Sequence, residues 1–246
     1  MDKRQEEADR ILAAHVQDMV RRQQWRSFTA FLDMRQYTML RTDLQEGTYR
    51  FFGGYPEAQR GILCIHPEGA EPSDEEFPVT CLTFTFPERF TLTHRDVLGS
   101  LMAQQVQRDT VGDILISAGK VQCFVTGAAV SVGESLTRIG RVGVKVSTDL
   151  PYSGDFHQET KEIAGTVQSP RLDAVLRTAL GCGRERCLES VRAGIVTLNY
   201  AECTEPAKLL REGDIFSVRG YGKFAVKTIG APTRKGRLPI LILKYL

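Results

Sequence analysis

No stretch of this 246-residue chain stays apolar over membrane-spanning length. The opening residues, Met1-Asp2-Lys3-Arg4-Gln5-Glu6-Glu7, are too charged for a secretory signal. Net charge is almost missing too: 32 Lys and Arg against 30 Asp and Glu leave +2, which by itself points to no partner. Cysteine is present without a pattern. The six (64, 81, 123, 182, 187, 203) are scattered and read as reduced packing residues of a cytoplasmic protein, not as a disulfide framework. Cys182 and Cys187 have no second close Cys or His, so the spacing argues against zinc. The four histidines (15, 66, 94, 157) lie too far apart in sequence to suggest a shared site. The acidic residues Glu68, Glu71, Asp74, Glu75 and Glu76 are too irregularly spaced for a cation loop and read as solvated. No cofactor, metal or catalytic group is expected.

What is present is an ordinary globular composition, 42% hydrophobic and 25% charged, with enough length for one large domain or two to three small ones. The charge is unevenly distributed. Residues 165–246 carry 14 Lys and Arg against 7 Asp and Glu, whereas residues 1–164 carry 18 against 23. A basic module on a mildly acidic body points to a polyanion held by the last third of the chain.

Periodicity predicts an α+β chain in four parts. Residues 1–60 read as a helical segment, with one helix over 6–22 and another over about 34–44. Arg21, Arg22 and Arg26 share that segment with Glu6, Glu7 and Asp9, so a solvated face is the simpler reading. Residues 61–150 read as a ferredoxin-like, RRM-like β-α-β-β-α-β domain: strands at 79–86, 113–116, 120–126 and 143–147, helices at about 94–107 and 128–139. Ile62–His66 is expected as an extra edge strand. Phe84, Phe86 and Phe124 are the aromatics that an RNA-stacking sheet face could use. The expected Lys/Arg-Gly-Phe/Tyr signature is absent from Lys120-Val121-Gln122-Cys123-Phe124-Val125, which favours packing into a core or domain interface. Residues 151–168 read as a linker or connecting strand.

The basic module spans 169–246. Ser169 and Pro170 are expected to start a helix, with Leu172, Val175, Leu176 and Ala179 on its apolar face and a stop at Gly181. A second helix, about 184–193, buries Cys187, Leu188 and Val191 and ends at Gly194. Strands follow at 195–199, 215–220 and 224–227, with a C-terminal strand extension. The arginines fall largely outside the apolar stripes, so a small core turns a guanidinium face outward.

These residues resemble the S4 RNA-binding domain. The resemblance is carried by Arg171-Leu172-Asp173, Gly183-Arg184, the run Val191-Arg192-Ala193-Gly194-Ile195-Val196-Thr197-Leu198-Asn199, and Gly213-Asp214-Ile215-Phe216-Ser217-Val218-Arg219-Gly220. With Phe51-Phe52-Gly53-Gly54-Tyr55 and the stretches 109–116 and 136–146, the whole chain is similar to the bacterial YlmH family of S4 proteins. That resemblance implies a non-enzymatic RNA-binding factor on the large ribosomal subunit and its tRNA or peptidyl-tRNA, in the rescue of stalled ribosomes. Relatives carry photosystem II or cell-division labels. It implies RNA contacts at Arg171, Arg177, Arg184, Arg186 and Arg192, with Lys208, Arg219 and Lys223 behind them. The partners are structured RNA (large-subunit rRNA, tRNA) and the large subunit itself, with no membrane and a monomeric state.

The alternative is an S4-bearing RNA-modifying enzyme, a pseudouridine synthase or rRNA methyltransferase. Arg171-Leu172-Asp173 imitates a synthase motif, yet it opens a helix where Asp173 suits the positive dipole end. Gly140-Arg141-Val142-Gly143 follows a helix and enters a strand, the reverse of a nucleotide-binding glycine loop.

Overall fold

The computed structural model describes residues 3–22, 25–148, 152–154, 156 and 160–245. The chain forms two compact units, Met1–Phe156 and His157–Leu246. His157 lies outside the described residues.

The first unit opens with α1 (Lys3–Arg22), β1 (Ser27–Asp33), α2 (Met34–Arg41), β2 (Tyr49–Phe52) and β3 (Arg60–Ile65). α2 starts on a capping box: Asp33 accepts from the Gln36 amide at 2.8 Å and the Gln36 side chain accepts from the Asp33 amide at 2.9 Å. A bidentate pair of Arg35 with Asp9 (2.7 Å for both bonds) ties α2 to α1 and holds the Asp9 carboxyl below the usual carboxylate range. This part is therefore not simply helical. The strands make an antiparallel sheet ordered β1-β3-β2, with β3 at its centre. The expectation that residues 62–66 form an edge of the following sheet is corrected accordingly. β1 escaped notice because a bulge between Phe28 and Phe31 breaks its two-residue alternation.

The same unit continues with β4 (Thr80–Thr85), α3 (His94–Met102), β5 (Val111–Ser117), β6 (Lys120–Val125), α4 (Ala128–Ser135), β7 (Arg138–Ile139), β8 (Val142–Gly143) and β9 (Lys145–Ser147). The sheet order β5-β6-β4-β9, all antiparallel, is that of a split β-α-β-β-α-β unit. Both helices are shorter than expected. α4 ends at Ser135, and the following residues form the β7–β8 hairpin instead of a last helical turn. α3 begins on the reciprocal Thr93–Asp96 capping box.

Alternation along these strands decides what each sheet face meets. Leu82, Phe84, Val121, Cys123 and Val125 point to the helix side and form one core with Val97 and Leu101 of α3 and Ala129 of α4. The opposite face, carrying Cys81, Leu115 and Phe124, packs on Phe31, Ile62, Cys64 and Tyr55 of the β1-β3-β2 layer. Phe124 stacks on Tyr55 with centroids 5.0 Å apart. Gly54 makes this approach possible: its φ is +99°, and a Cβ there would stand 2.3 Å from the Phe124 ring. Asp113 locks the contact, accepting from the Tyr55 hydroxyl at 2.9 Å and the Gln59 and Arg60 amides at 2.6 and 3.2 Å. Burial and the neighbouring Asp113 carboxylate push the Tyr55 hydroxyl far above the ordinary tyrosine pKa. Next to Phe124, the buried Gln122–Thr83 bond (3.0 Å) is covered by Ser153, whose amide donates to Gln122 Oε1 at 3.1 Å.

The second unit holds β10 (Thr160–Val167), α5 (Leu172–Leu180), α6 (Arg184–Arg192), β11 (Val196–Leu198), β12 (Ala201–Glu202), β13 (Ile215–Val218), β14 (Gly222–Ile229) and β15 (Leu238–Tyr245). Its six-stranded sheet runs β10-β15-β14-β13-β11-β12. Of the two readings for the connecting segment, residues 160–167 take the strand, paired along their length with β15. Leu172, Val175 and Leu176 of α5 and Cys187 and Val191 of α6 pack with Phe216, Phe224 and Ile242 of the sheet in one core. Cys182 and Cys187 are joined as a disulfide across the α5–α6 turn, so this pair departs from the reading of all six cysteines as reduced. Cys64, Cys81, Cys123 and Cys203 are free thiols, and burial pushes that of Cys123 up to about 12.

Gly54→Ala should destabilise the first unit by about 2–4 kcal/mol, combining a left-handed backbone penalty with overpacking against Phe124. Gly140→Ala, also at positive φ but with open space around it, should cost about 1–2 kcal/mol. Urea unfolding followed by circular dichroism separates the two.

Candidate nucleic-acid interface

The start of α5 sets the geometry of the basic face. Ser169 and Pro170 were the expected cap and first turn, but the helix begins at Leu172 with Arg171 as its N-cap residue and no side-chain cap. The first-turn amides find backbone partners from a distant loop. Leu172 N donates to the Lys208 carbonyl at 2.8 Å and Asp173 N to the Pro206 carbonyl at 3.1 Å, while Leu210 N returns a bond to Pro170 O. This strand-like seam removes the need for a hydroxyl cap. It also fixes α5 against the loop that carries Lys208.

Asp173 is 4% exposed and forms a fork with Arg171, whose Nε and Nη2 each lie 3.1 Å from a carboxylate oxygen. The carboxylate raises the Arg171 pKa through these bonds and its charge. Asp173 thus acts as a structural clamp on Arg171. Its carboxylate is buried and committed, not available for the nucleophilic role that the Arg-Leu-Asp triplet imitates.

Arg171, Arg177 and Arg184 line one cleft of about 580 Å³, with Ser169 at its wall. Lys235 and Arg237, which the sequence reading did not single out, complete it. Both sit on the turn between β14 and β15, where Thr233 O accepts from Gly236 N at 2.8 Å and Thr233 N donates to Arg237 O at 2.8 Å. Arg237 Nη2 is anchored on the Thr166 carbonyl at 2.6 Å. The signal was available in Thr233-Arg234-Lys235-Gly236-Arg237, three cations about a glycine turn. Their meeting with α5, some sixty residues upstream, comes from β10 and β15 pairing side by side.

The other expected contacts do not line this cleft. Arg186 is exposed on α6, its guanidinium 5.9 Å from the centre of the Tyr221 ring. Arg192 is the last residue of α6 and is exposed, as are Lys208 and Arg219. Lys223 is half-buried, its ammonium 5.2 Å from the centroids of both Tyr200 and Tyr245. Tyr200 and Asn199 hold positive φ values (68° and 47°) in the tight β11–β12 turn. Among the described residues, Arg177, Arg184, Arg186, Arg192, Lys208 and Arg219 have no carboxylate partner. Arg26 and Arg50 of the first unit, by contrast, are paired to the acidic segment through Glu76, Asp74 and Glu71.

Residues 72–153 match a family model described as "Putative RNA-binding domain in YlmH". The Ribosome-associated protein quality control protein P2 of Bacillus subtilis is 30% identical over 224 residues, covering 89% of this chain and 87% of that protein. The chain belongs to the YlmH-like family of S4-domain RNA-binding proteins. The structure of the cell division protein ylmH from Streptococcus pneumoniae shares the fold over 64% of this chain and 98% of its own, with a TM-score of 0.52 and 18% identity. The family model's description names RNA binding, and the printed name of the Bacillus relative associates that protein with the ribosome. Among the described residues no group of three or more His, Cys, Asp and Glu could hold a metal ion, and no helix is long and apolar enough to cross a membrane.

Within the S4 unit the two kinds of arginine should separate by mutation. Asp173→Ala, which leaves the Ala174 amide without its side-chain acceptor and Arg171 without its clamp, should cost about 1–3 kcal/mol of stability. Arg184→Ala should leave the unfolding midpoint where it is. Thermal denaturation of the two variants checks this.

Proposed function

We propose that this chain is a non-enzymatic factor that grips structured RNA of the large ribosomal subunit, together with tRNA or peptidyl-tRNA, in the rescue of stalled ribosomes. The observation that carries the reading is the cleft in which Arg171, Arg177, Arg184, Lys235 and Arg237 converge around a single carboxylate, Asp173, already committed to Arg171. Five cations on a folded surface, held by helix, seam and sheet, match phosphates at fixed separations; guanidiniums on a mobile tail would give charge without register. Arg186, Arg192, Lys208, Arg219 and Lys223 extend the same contact beyond the cleft. The printed name of the Bacillus relative supports a ribosomal setting.

The mechanism is binding itself. Exposed guanidiniums displace counterions from the RNA backbone, so affinity falls steeply as salt rises. The chain acts as a monomer, without cofactor.

Charge reversal at Arg184 together with Arg186 should abolish cosedimentation with purified large subunits while circular dichroism and the unfolding midpoint stay unchanged. Reversal at Lys235 and Arg237 should weaken it more than tenfold at physiological salt. Unchanged sedimentation of both variants would overturn the reading.

A further inference from the structure

The first unit contains a domain whose family model names RNA, yet the face that such a fold offers to RNA is closed here. An RRM-type sheet binds by stacking bases on aromatics of its open face. In this chain that face carries Phe124, which is 1% exposed beneath Tyr55, and the Gln122–Thr83 pair, 1% and 0% exposed beneath the Ser153 backbone. Phe84 and Phe86 point the other way, into the helix-side core. Opening the sheet would mean separating it from the β1-β3-β2 layer and breaking the Asp113 clamp.

Several other arginines of this unit are already committed. Arg26, Arg35 and Arg50 are in ion pairs. Arg60 turns inward onto the Phe31 and Val111 carbonyls, and Arg108 onto Val111 as well. On the helix side the situation differs. Arg95 at the start of α3 and Arg138 on β7 line a shallow cleft of about 460 Å³ between α3 and the β7–β8 hairpin. Arg141 follows Gly140 at the hairpin tip. None of the three has a carboxylate partner among the described residues. The one carboxylate in the cleft, Asp96, accepts from the Thr93 amide at 2.8 Å and its hydroxyl at 2.6 Å, which holds it below the usual carboxylate range and occupied at the helix cap. The surface is also pre-shaped. Gly140 N donates to Ser100 Oγ at 3.2 Å, and Val144 N to Thr137 O at 2.9 Å, so the hairpin is fastened to α3 and to itself.

We propose that the cleft between α3 and the β7–β8 hairpin is the surface by which this domain binds RNA, with Arg95, Arg138 and Arg141 on backbone phosphates and no base stacked on the sheet. The reading rests on the RNA-binding role set out above and adds a second contact on the other unit. It assigns sequence-independent positioning to the domain, because three guanidiniums without an aromatic platform read phosphate spacing and not base identity. Among the described residues none of the three side chains is in an ion pair. Arg138 Nη2 donates to the Arg141 carbonyl at 3.4 Å.

The test uses the full chain with two probes, purified bacterial large subunits and the protein-free rRNA extracted from them. The variant Arg95→Gln, Arg138→Gln, Arg141→Gln should unfold at the wild-type midpoint and bind both probes several-fold more weakly. Its slope of log affinity against log salt should be shallower by about 2 to 3, as expected for three lost phosphate contacts. Ultraviolet crosslinking of the wild type should place RNA on peptides 94–104 and 136–145 and not on 80–85 or 120–125. An unchanged slope, or crosslinks on the sheet strands, would overturn the proposal. So would a loss confined to intact subunits, which would make the surface a protein-docking site. If the Arg184 and Arg186 reversal abolishes binding while the triple variant matches wild type, only this inference fails. If the wild type binds neither probe, both readings fall.

Discussion

The stack of Phe124 on Tyr55, made possible by the missing Cβ of Gly54, is the contact on which the arrangement of the first unit depends. It joins two sheets that would each be marginal alone: three short strands on one side, and on the other a four-stranded sheet that would leave a hydrophobic face wet. Asp113 adds specificity, since one carboxylate oxygen takes the Tyr55 hydroxyl and two backbone amides from the loop entering β3. Phe51-Phe52-Gly53-Gly54-Tyr55, one of the stretches that carry the family likeness, is thereby spent on assembly. Gly53 belongs to the same constraint, because a Cβ there would lie 2.1 Å from the Arg60 carbonyl oxygen.

The same constraint closes this face of the four-stranded sheet. A sheet face used as a core cannot also stack bases, so charge rather than aromatic surface is left to meet a polyanion. The first unit is acidic in sum, and its acidic segment is largely answered by its own arginines: Glu76 by Arg26, and Asp74 and Glu71 by Arg50. The second unit reverses the balance. There an aspartate neutralises one arginine, Arg171, and the remaining helix arginines stay solvent-facing around a small but complete core.

The seam between the start of α5 and residues 206–210 explains why that face can be rigid in so small a unit. Backbone carbonyls from a loop more than thirty residues away satisfy the helix amides, so α5 is held at its start by main-chain bonds and not by a single exposed hydroxyl. At α6 the N-cap residue is Gly183, which offers no side-chain bond. The disulfide from Cys182 to Cys187 spans that same turn.

Local chemistry was legible in the sequence. The apolar period of α5, the burial of Cys187 and Val191 in α6, the glycine stops at 181 and 194 and the alternation of β4 all act over a few residues, and the chain places them as read; Leu188, expected to be buried with them, is only half-buried and stands outside that core, and a bulge between Val111 and Ile114 interrupts β5. The sequence alone also carried the family likeness, because the S4 stretches lie in order within about fifty residues. What only the tertiary structure decided was which surfaces meet. β1 hides behind a bulge and β3 pairs with partners on both sides, so the second sheet and its role as a cover are set by long-range register that no local period reports. Lys235 and Arg237 join the α5 cleft for the same reason: β10 and β15 are neighbours in the sheet though some seventy residues apart in the chain. Hydrophobic patterning fixes which side of a strand is buried, but the partner that buries it is chosen by the folded whole.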